Sequence, residues 1–414
     1  MKPGYKQTEA GVIPEEWEVK LLSSLSADIG DGIHSTPNYV NSSEFHFVNG
    51  NNLVADRISI NDSTMCVSEA EYKTLRKNLT DRTLLLSING TIGNLAFYNG
   101  EQVVLGKSAA YINVRKGVSR RFISYCLKNR PTALYFDNEL TGTTISNLSL
   151  QSLRNTPIPL PPTLPEQRAI ATALNDVDGL LGGLDRLIAK KRDLKQAAMQ
   201  QLLTGQTRLP GFRGEWEVTT LGDTCAFENG DRGINYPSPR SFVHSGIPFV
   251  NAGHVDNGRI GREGMDYITK ESFDRLGGGK FKSGDILFCL RGSLGKFGVV
   301  EPDFGEGAIA SSMVIVRPKS TILDADYLSC YFKSHLCAQM IERWAGGAAQ
   351  PNLGAQDLSK FIIRLPTLRE QTAIAEVLTE MDAELAALEQ RREKTRALKQ
   401  AMMQELLTGS IRLV

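Results

Sequence analysis

Residues 163–209 and 367–413 align without a gap and are identical at about half of their positions. A long internal repeat dictates architecture before any local preference does. Each copy opens on Thr-Leu-x-Glu-Gln-x-Ala-Ile-Ala, runs on to Leu-Lys-Gln-Ala, and closes with Leu-Leu-Thr-Gly followed by Arg-Leu. Ile170, Leu174, Val177, Leu181, Leu184 and Ile188 step alternately by four and three residues. Ile374, Leu378, Met381, Leu385 and Leu388 do the same. That spacing is the a/d seam of a coiled coil. Thr163 with Glu166, and Thr367 with Glu370, have the spacing of a capping box. Pro165 falls in a first turn, where its missing N–H costs little. Gly205 and Gly409 fit the left-handed position just past a helix end. The expectation is two helices of about 40 residues, each roughly 60 Å long, paired antiparallel through their seams. The alternative is that each helix rests on its own module.

The segments between the copies are modules 1–160 and 210–365, with the helical segments at 161–209 and 366–414. The modules share a thin skeleton in the same order. Glu16-Trp17-Glu18-Val19 matches Glu215-Trp216-Glu217-Val218, and Phe47-Val48-Asn49 matches Phe249-Val250-Asn251. Leu85-Leu86-Ser87-Ile88-Asn89-Gly90-x-x-Gly93 matches Leu287-Phe288-Cys289-Leu290-Arg291-Gly292-x-x-Gly295. Gly142 and Asn147-Leu148 match Gly347 and Asn352-Leu353. Residues 83–88 and 285–290 read as strands running into glycine turns. Residues 119–138 and 324–345 read as helices with Phe122, Cys126, Tyr327 and Tyr331 inward. The fold class expected is α+β, two mixed modules each followed by a long helix.

At 414 residues the chain has room for such modules, each able to bury its own core. The net charge of +1 limits how much nucleic acid it can wrap unaided. Phosphate contacts would be local or shared with a partner. The six cysteines form no C-x-x-C pair and no zinc spacing, so buried reduced thiols in a cytoplasmic protein are expected. No apolar run is long enough to span a bilayer, and residues 1–7 lack an apolar signal core.

Catalytic signatures are missing. Gly292-Ser293-Leu294-Gly295-Lys296-Phe297 approaches a phosphate loop but fails its spacing. No Asn or Asp is followed by Pro-Pro-Tyr, the adenine methyltransferase signature; Thr36-Pro37-Asn38-Tyr39 is no match. The five histidines are scattered without metal-ligand spacing, and Glu15, Glu16 and Glu18 suit a surface or cap.

Together these features resemble the specificity subunit of a Type I restriction-modification enzyme, over nearly the whole chain. The most specific pieces are Tyr5-Lys6-Gln7-Thr8-Glu9 through Gly11-Val12-Ile13-Pro14-x-x-Trp17-Glu18-Val19, the twin Leu-x-Glu-Gln-x-Ala-Ile-Ala boxes and the twin Leu-Leu-Thr-Gly endings. The resemblance implies a subunit without catalysis of its own, binding no cofactor and no metal. It implies two target-recognition domains, each reading one half of a split, asymmetric site in double-stranded DNA. The paired helices would set the spacer and dock two methyltransferase subunits, which use S-adenosylmethionine to methylate adenine N6. Motor-nuclease subunits using ATP and Mg2+ would complete the assembly. A complex that only methylates, a docking protein that reads no DNA, and a self-contained enzyme of unknown motif remain as alternatives.

Half-sites read from one face lie about one duplex turn, near 34 Å, apart, an offset that paired helices of this length can set. The polar, glycine-rich loops carry side chains suited to bases and phosphates. In the first module these are His34, Ser35, Thr36, Asn38 and Tyr39, then Asn49, Asn51 and Asn52, then Asn89, Thr91 and Asn94, with Lys107 as a phosphate clamp. In the second they are Asp231, Arg232, Asn235 and Tyr236, then Asn251 and His254, then Arg291, Ser293 and Lys296, with Arg240 as clamp. The backbone skeleton is held while these side chains change, as two different half-sites would need. Turns whose Gly, Asn and Asp supply geometry alone are the simpler reading. Basic clusters at Arg186, Lys190, Lys191, Arg192, Lys195 and at Arg391, Arg392, Lys394, Arg396, Lys399 fit a solvated helix flank better than a phosphate track.

Overall fold

A computed structural model describes residues 3–141, 146–345 and 352–413, so Gly142 and Gly347 lie outside the described residues. Contacts divide the chain into Met1–Asp185 with Arg391–Val414, and Arg186–Gln390. Each unit therefore holds one module and a part of both long helices, Leu164–Thr204 and Leu368–Leu407.

The first module is built on an antiparallel sheet in the order Leu95–Phe97, Thr83–Ser87, Ala109–Val114, Ser26–Asp31. The second repeats it as Phe297–Val299, Ile286–Cys289, Met313–Pro318, Cys225–Asn229. Strands Thr83–Ser87 and Ile286–Cys289 are buried at every residue, because each is covered on both faces. Leu84 and Leu86 face a core shared with Phe122, Ile170 and Leu407, while Leu85 faces Val48, Val103 and Leu105 on a second sheet. The other module repeats this, with Ile286 and Phe288 on the helical side and Leu287 and Cys289 against Val250 and Ile309. The second sheets each contain a parallel pair, His46–Val48 with Val103–Leu105 at one edge of the first and Ile247–Val250 with Gly307–Ile309 at the centre of the other.

The helices expected at 119–138 and 324–345 are each broken in two. Arg120–Lys128 stops at Asn129, whose side chain caps Arg130–Glu139; Pro131 has no N–H to continue the first helix. Ala325–Lys333 stops at Ser334, whose hydroxyl and N–H both bond back to the Tyr331 carbonyl before His335–Ala345 begins. Phe122, Cys126, Tyr327 and Tyr331 are buried, as their spacing predicts.

The long helices pack together antiparallel, with ion pairs running between them. In the first unit Asp178 pairs with Lys399 at 2.7 Å and Asp185 with Arg392 at 3.6 Å. In the second, Lys191 pairs with Glu384 at 2.6 Å, Arg192 with Glu389 and Lys195 with Asp382. Half of the basic clusters is thus taken up between helices.

The seam is less uniform than its heptads predict. Ile170 and Leu174 sink into the first module's core beside Leu406 and Leu407. Ile374 and Leu378 do so in the second beside Met199, Leu202 and Leu203. Leu184 and Ile188 are buried, and Val177, Leu181, Met381, Leu385 and Leu388 are half-buried. Six of these positions are buried within the chain, and the other five are only half-covered by it. The expectation of helix pairing and its alternative, helix on module, each describe part of the same stripe.

The capping boxes are another correction. Thr163 Oγ1 accepts the Glu166 N–H at 3.3 Å, but the Glu166 carboxylate turns away to a bidentate ion pair with Arg412. Glu370 likewise takes Arg208, at 2.5 and 2.6 Å. Both carboxylates are 1% exposed. Each opening box is therefore fastened to the Arg-Leu that closes the other copy. The neighbouring glutamines tie each helix to its module. Gln167 accepts the Ser119 N–H at 2.9 Å and Gln371 the Asp324 N–H at 2.8 Å, at equivalent helix starts.

Candidate nucleic-acid interface

The turn after the buried strand is the same object in both modules. Ser87 N–H bonds to the Asn94 carbonyl and Cys289 N–H to the Lys296 carbonyl, both at 2.8 Å. Gly93 N–H returns to Ser87 O and Gly295 N–H to Cys289 O. Leu148 N–H reaches Ile88 O and Leu353 N–H reaches Leu290 O, so the matched Asn-Leu pairs brace the two turns alike. On this common backbone Asn89 is replaced by Arg291, Thr91 by Ser293 and Asn94 by Lys296.

In the first unit several candidate loops meet. Asn89 Nδ2 donates to the Lys107 carbonyl at 3.3 Å, and the Ser108 hydroxyl donates to Asn49 Oδ1 at 2.9 Å. Ile33 N–H bonds to Leu105 O at 2.7 Å, bringing the 30–39 loop alongside. Ser35, Thr36, Asn51, Thr91 and Lys107 are exposed there. His34 is exposed and bonds Asp31 at 2.8 Å. Asn38 is held by Glu71, Tyr39 stands edge-on to Phe47, and Asn94 is half-buried.

The second unit presents an open cleft of about 650 Å³, with Arg232, Arg291, Gly277, Gly278 and Gln356 among its lining. It brings Asp231, Arg232 and Arg291 together. It does not include Arg240, Asn251, His254 or Lys296. Asp231 sits at its back, its two oxygens accepting the N–H groups of Gly233 at 2.6 Å and Gly277 at 2.8 Å. Those donors hold the carboxyl below its ordinary pKa. Arg232 spends one N–H on the Ser311 carbonyl, whereas Arg291 is exposed with no ion pair among the described residues. Asn235 donates to Arg275 O, and the Tyr236 hydroxyl accepts the Ser311 N–H. Arg240 is exposed, Ser293 is half-buried, and Lys296 pairs with Asp256 at 3.1 Å.

Other candidates serve their own turns. Asn52 Oδ1 accepts the Asn49 N–H and its amide donates to Ser59 O. His254 does the same job opposite Asn251, with Nδ1 accepting that residue's N–H and Nε2 bonded to Gly264 O. Both ring nitrogens are used. Asn251 Oδ1 accepts the Gly253 N–H and its amide donates weakly to Asp266. Here the simpler reading, turn geometry, is what the bonds describe.

Sequence reading passes over the 277–278 loop and Gln356. One signal was available: the Asn-Leu match extends to Asn-Leu-x-x-Gln-x-Leu, placing Gln151 and Gln356 at one position. Strand register also gives an alignment that composition cannot. Asp31 lies opposite Ala110 and Asn229 opposite Val314, next to the equivalent Ala109 and Met313, so His34 corresponds to Arg232.

No described helix is long and apolar enough to cross a membrane. The model of the Type I restriction modification DNA specificity domain matches residues 14–188 and again residues 213–397. The chain is 26% identical over 360 residues to the Type I restriction enzyme MjaVIII specificity subunit of Methanocaldococcus jannaschii, covering 81% of this chain and 82% of that one. It is 22% identical over 352 residues to the Type I restriction enzyme EcoBI specificity subunit of Escherichia coli, covering 80% and 73%. Among solved structures, the S subunit of a Type I restriction-modification system from M. genitalium shares the fold, with a TM-score of 0.60 at 18% identity over 98% of this chain and 99% of that one.

Proposed function

This chain belongs to the Type I restriction-modification DNA specificity family, and we propose that it is the non-catalytic reader of a split, asymmetric DNA site. Each module reads one half-site in double-stranded DNA. The observation that carries this reading is the shared turn, on which a frame closed by three matching backbone hydrogen bonds carries Asn89 in one module and Arg291 in the other. Asn can pair bidentately with adenine and Arg with guanine, so the half-sites differ. The antiparallel helices set the spacer and hold two methyltransferase subunits, which bring S-adenosylmethionine to adenine N6. Motor-nuclease subunits with ATP and Mg2+ complete the assembly.

The test is genome-wide adenine methylation, read by long-read sequencing, in cells with the cognate methyltransferase and with or without this chain. A split asymmetric motif appearing only with the chain is expected. Methylation independent of the chain, or a palindromic motif, would refute it.

A further inference from the structure

Among the described residues Ile234 is the most exposed large apolar side chain, at 101%, and the next, Val218, is at 64%. A lone apolar side chain on a surface ordinarily needs no explanation. This one differs because the turn beneath it is tied down on several sides. The Tyr236 N–H closes the turn onto the Gly233 carbonyl at 3.0 Å. Asp231 accepts the Gly233 and Gly277 N–H groups, Arg232 donates to the Ser311 carbonyl at 3.1 Å, and Asn235 donates to the Arg275 carbonyl at 2.9 Å. The residues on either side hold the loop, while the isoleucine between them faces solvent.

The first module frames the same loop and fills it differently. A Cβ on Gly32 would run into the carbonyls of Leu105 and Gly106, and one on Gly230 into those of Ile309 and Ala310, at equivalent strand ends. Tyr39 and Tyr236 stand edge-on to the matched Phe47 and Phe249, with ring centroids 5.7 and 5.8 Å apart. Between these anchors the first module exposes Ser35 and Thr36 where the second exposes Ile234. Anchors that are kept around a tip that changes fit a reading side chain better than a folding one.

We propose that Ile234 reads a thymine in the second module's half-site by packing on its C5-methyl group. This rests on the reading of the chain as a DNA reader and adds an apolar determinant to the polar ones. Ile234 stands two residues from Arg232, which lines one cleft with Arg291. The thymine methyl group lies in the major groove, and so does the guanine edge that an arginine pairs with. One approach to the duplex therefore brings both kinds of side chain to base edges. A β-branched side chain on a tied turn has few rotamers to lose on contact. A methyl contact needs no cation, so the carboxylates of Asp231 and Asp357 in the cleft do not oppose it.

The experiment measures binding of the full chain to fluorescent duplexes carrying the motif found by methylation sequencing, and to a scrambled duplex. Each thymine of the motif is replaced in turn by deoxyuridine, which removes the methyl and keeps every base-pairing group. At one position in one half-site the replacement is expected to weaken wild-type binding about fourfold, the worth of one methyl-sized group taken out of water. Ile234→Ala should bind the unmodified duplex more weakly by a similar factor and lose its sensitivity at that position. It should unfold at the wild-type temperature, because a fully exposed side chain has no packing to lose. Ile234→Val, which keeps the branch, should retain the sensitivity. Wild-type affinity in Ile234→Ala, or equal deoxyuridine costs in wild type and variant at every position, would overturn the contact while leaving the motif preference, and so the reader, intact. A fluorescent base analogue that reports unstacking with wild type but not with Ile234→Ala would overturn it too, in favour of insertion between base steps. A wild-type chain that binds motif and scrambled duplex equally would sink the reader, and the contact with it.

Discussion

Replacing Gly409 with alanine should damage this protein more than replacing Gly205, although the two stand at the same place in identical Leu-Leu-Thr-Gly endings. Both leave their helix in the left-handed region, at φ +71° and +73°. An alanine there costs about 1–2 kcal/mol at either site from backbone sterics alone. The surroundings differ. At Gly205 the new methyl would lie 3.4 Å from the half-buried Trp216 indole, an ordinary contact. At Gly409 it would lie 2.7 Å from Pro14 Cδ and Cγ and 3.0 Å from Trp17 Cζ2. Pro14 and Trp17 are both buried, Trp17 with 0% exposure, so neither can move aside. Overpacking of this kind adds about 1–3 kcal/mol. The expected totals are about 1–2 kcal/mol for Gly205→Ala and about 2–5 kcal/mol for Gly409→Ala. Each kcal/mol lowers the midpoint of a unit this size by about 2–4 °C. Scanning calorimetry of the full chain reads both variants under one condition. Equal shifts, or a larger shift for Gly205→Ala, would refute the reasoning that packing at the helix end, beyond φ, separates the two repeats.

Four further outcomes are expected. Arg291→Ala should relax recognition in one half-site only, by about 1–3 kcal/mol if the guanidinium pairs with guanine; unchanged preference in both halves, scored by methylation sequencing, would remove Arg291 from the reading set. Inserting one heptad after Leu184 and one after Leu388 should lengthen the spacer and keep both half-sites, and a changed half-site with an unchanged spacer would defeat the ruler. A thiol reagent at mild pH should label Cys66 first, because it is only partly buried while burial pushes Cys225, Cys289 and Cys337 up to about 12 and Cys330 to about 11; mass spectrometry finding any of those four labelled as fast would contradict this. The Asp231 carboxyl, depressed below 3.8 by the Gly233 and Gly277 N–H groups, stabilises the folded chain above its unfolded pKa and loses that contribution as pH falls through the folded value. Asp231→Asn should therefore be less stable than wild type near neutrality and converge with it on acidification, as followed by denaturant unfolding at several pH values.

Much of the architecture was legible because it is periodic or repeated. The heptad steps from Ile170 and Ile374 announce the long helices, and Gly205 and Gly409 mark their ends at the left-handed φ their type favours. The buried strands Thr83–Ser87 and Ile286–Cys289 were visible as short apolar runs before glycine turns. The candidate site was legible only as a set of loops. Asn49, Asn52, Asn251 and His254 have base-reading chemistry, but Asn and His are also turn formers, and only hydrogen-bond partners distinguish the two uses.

Sequence alone determined that this chain is two copies of one plan, mixed modules alternating with long helices, because local periodicity and identity between copies need no knowledge of distant contacts. Tertiary structure decided what each repeated residue is for. Glu166 and Glu370 look like helix caps along the chain, yet they meet Arg412 and Arg208, 246 and 162 residues away. Ile170 and Ile374 look like coiled-coil seam, yet they complete module cores. The physical reason is the same in both cases. A carboxylate or a methyl group is satisfied by whichever partner lies nearest in space, and the spacing of residues along a helix says which face it occupies but not what covers that face.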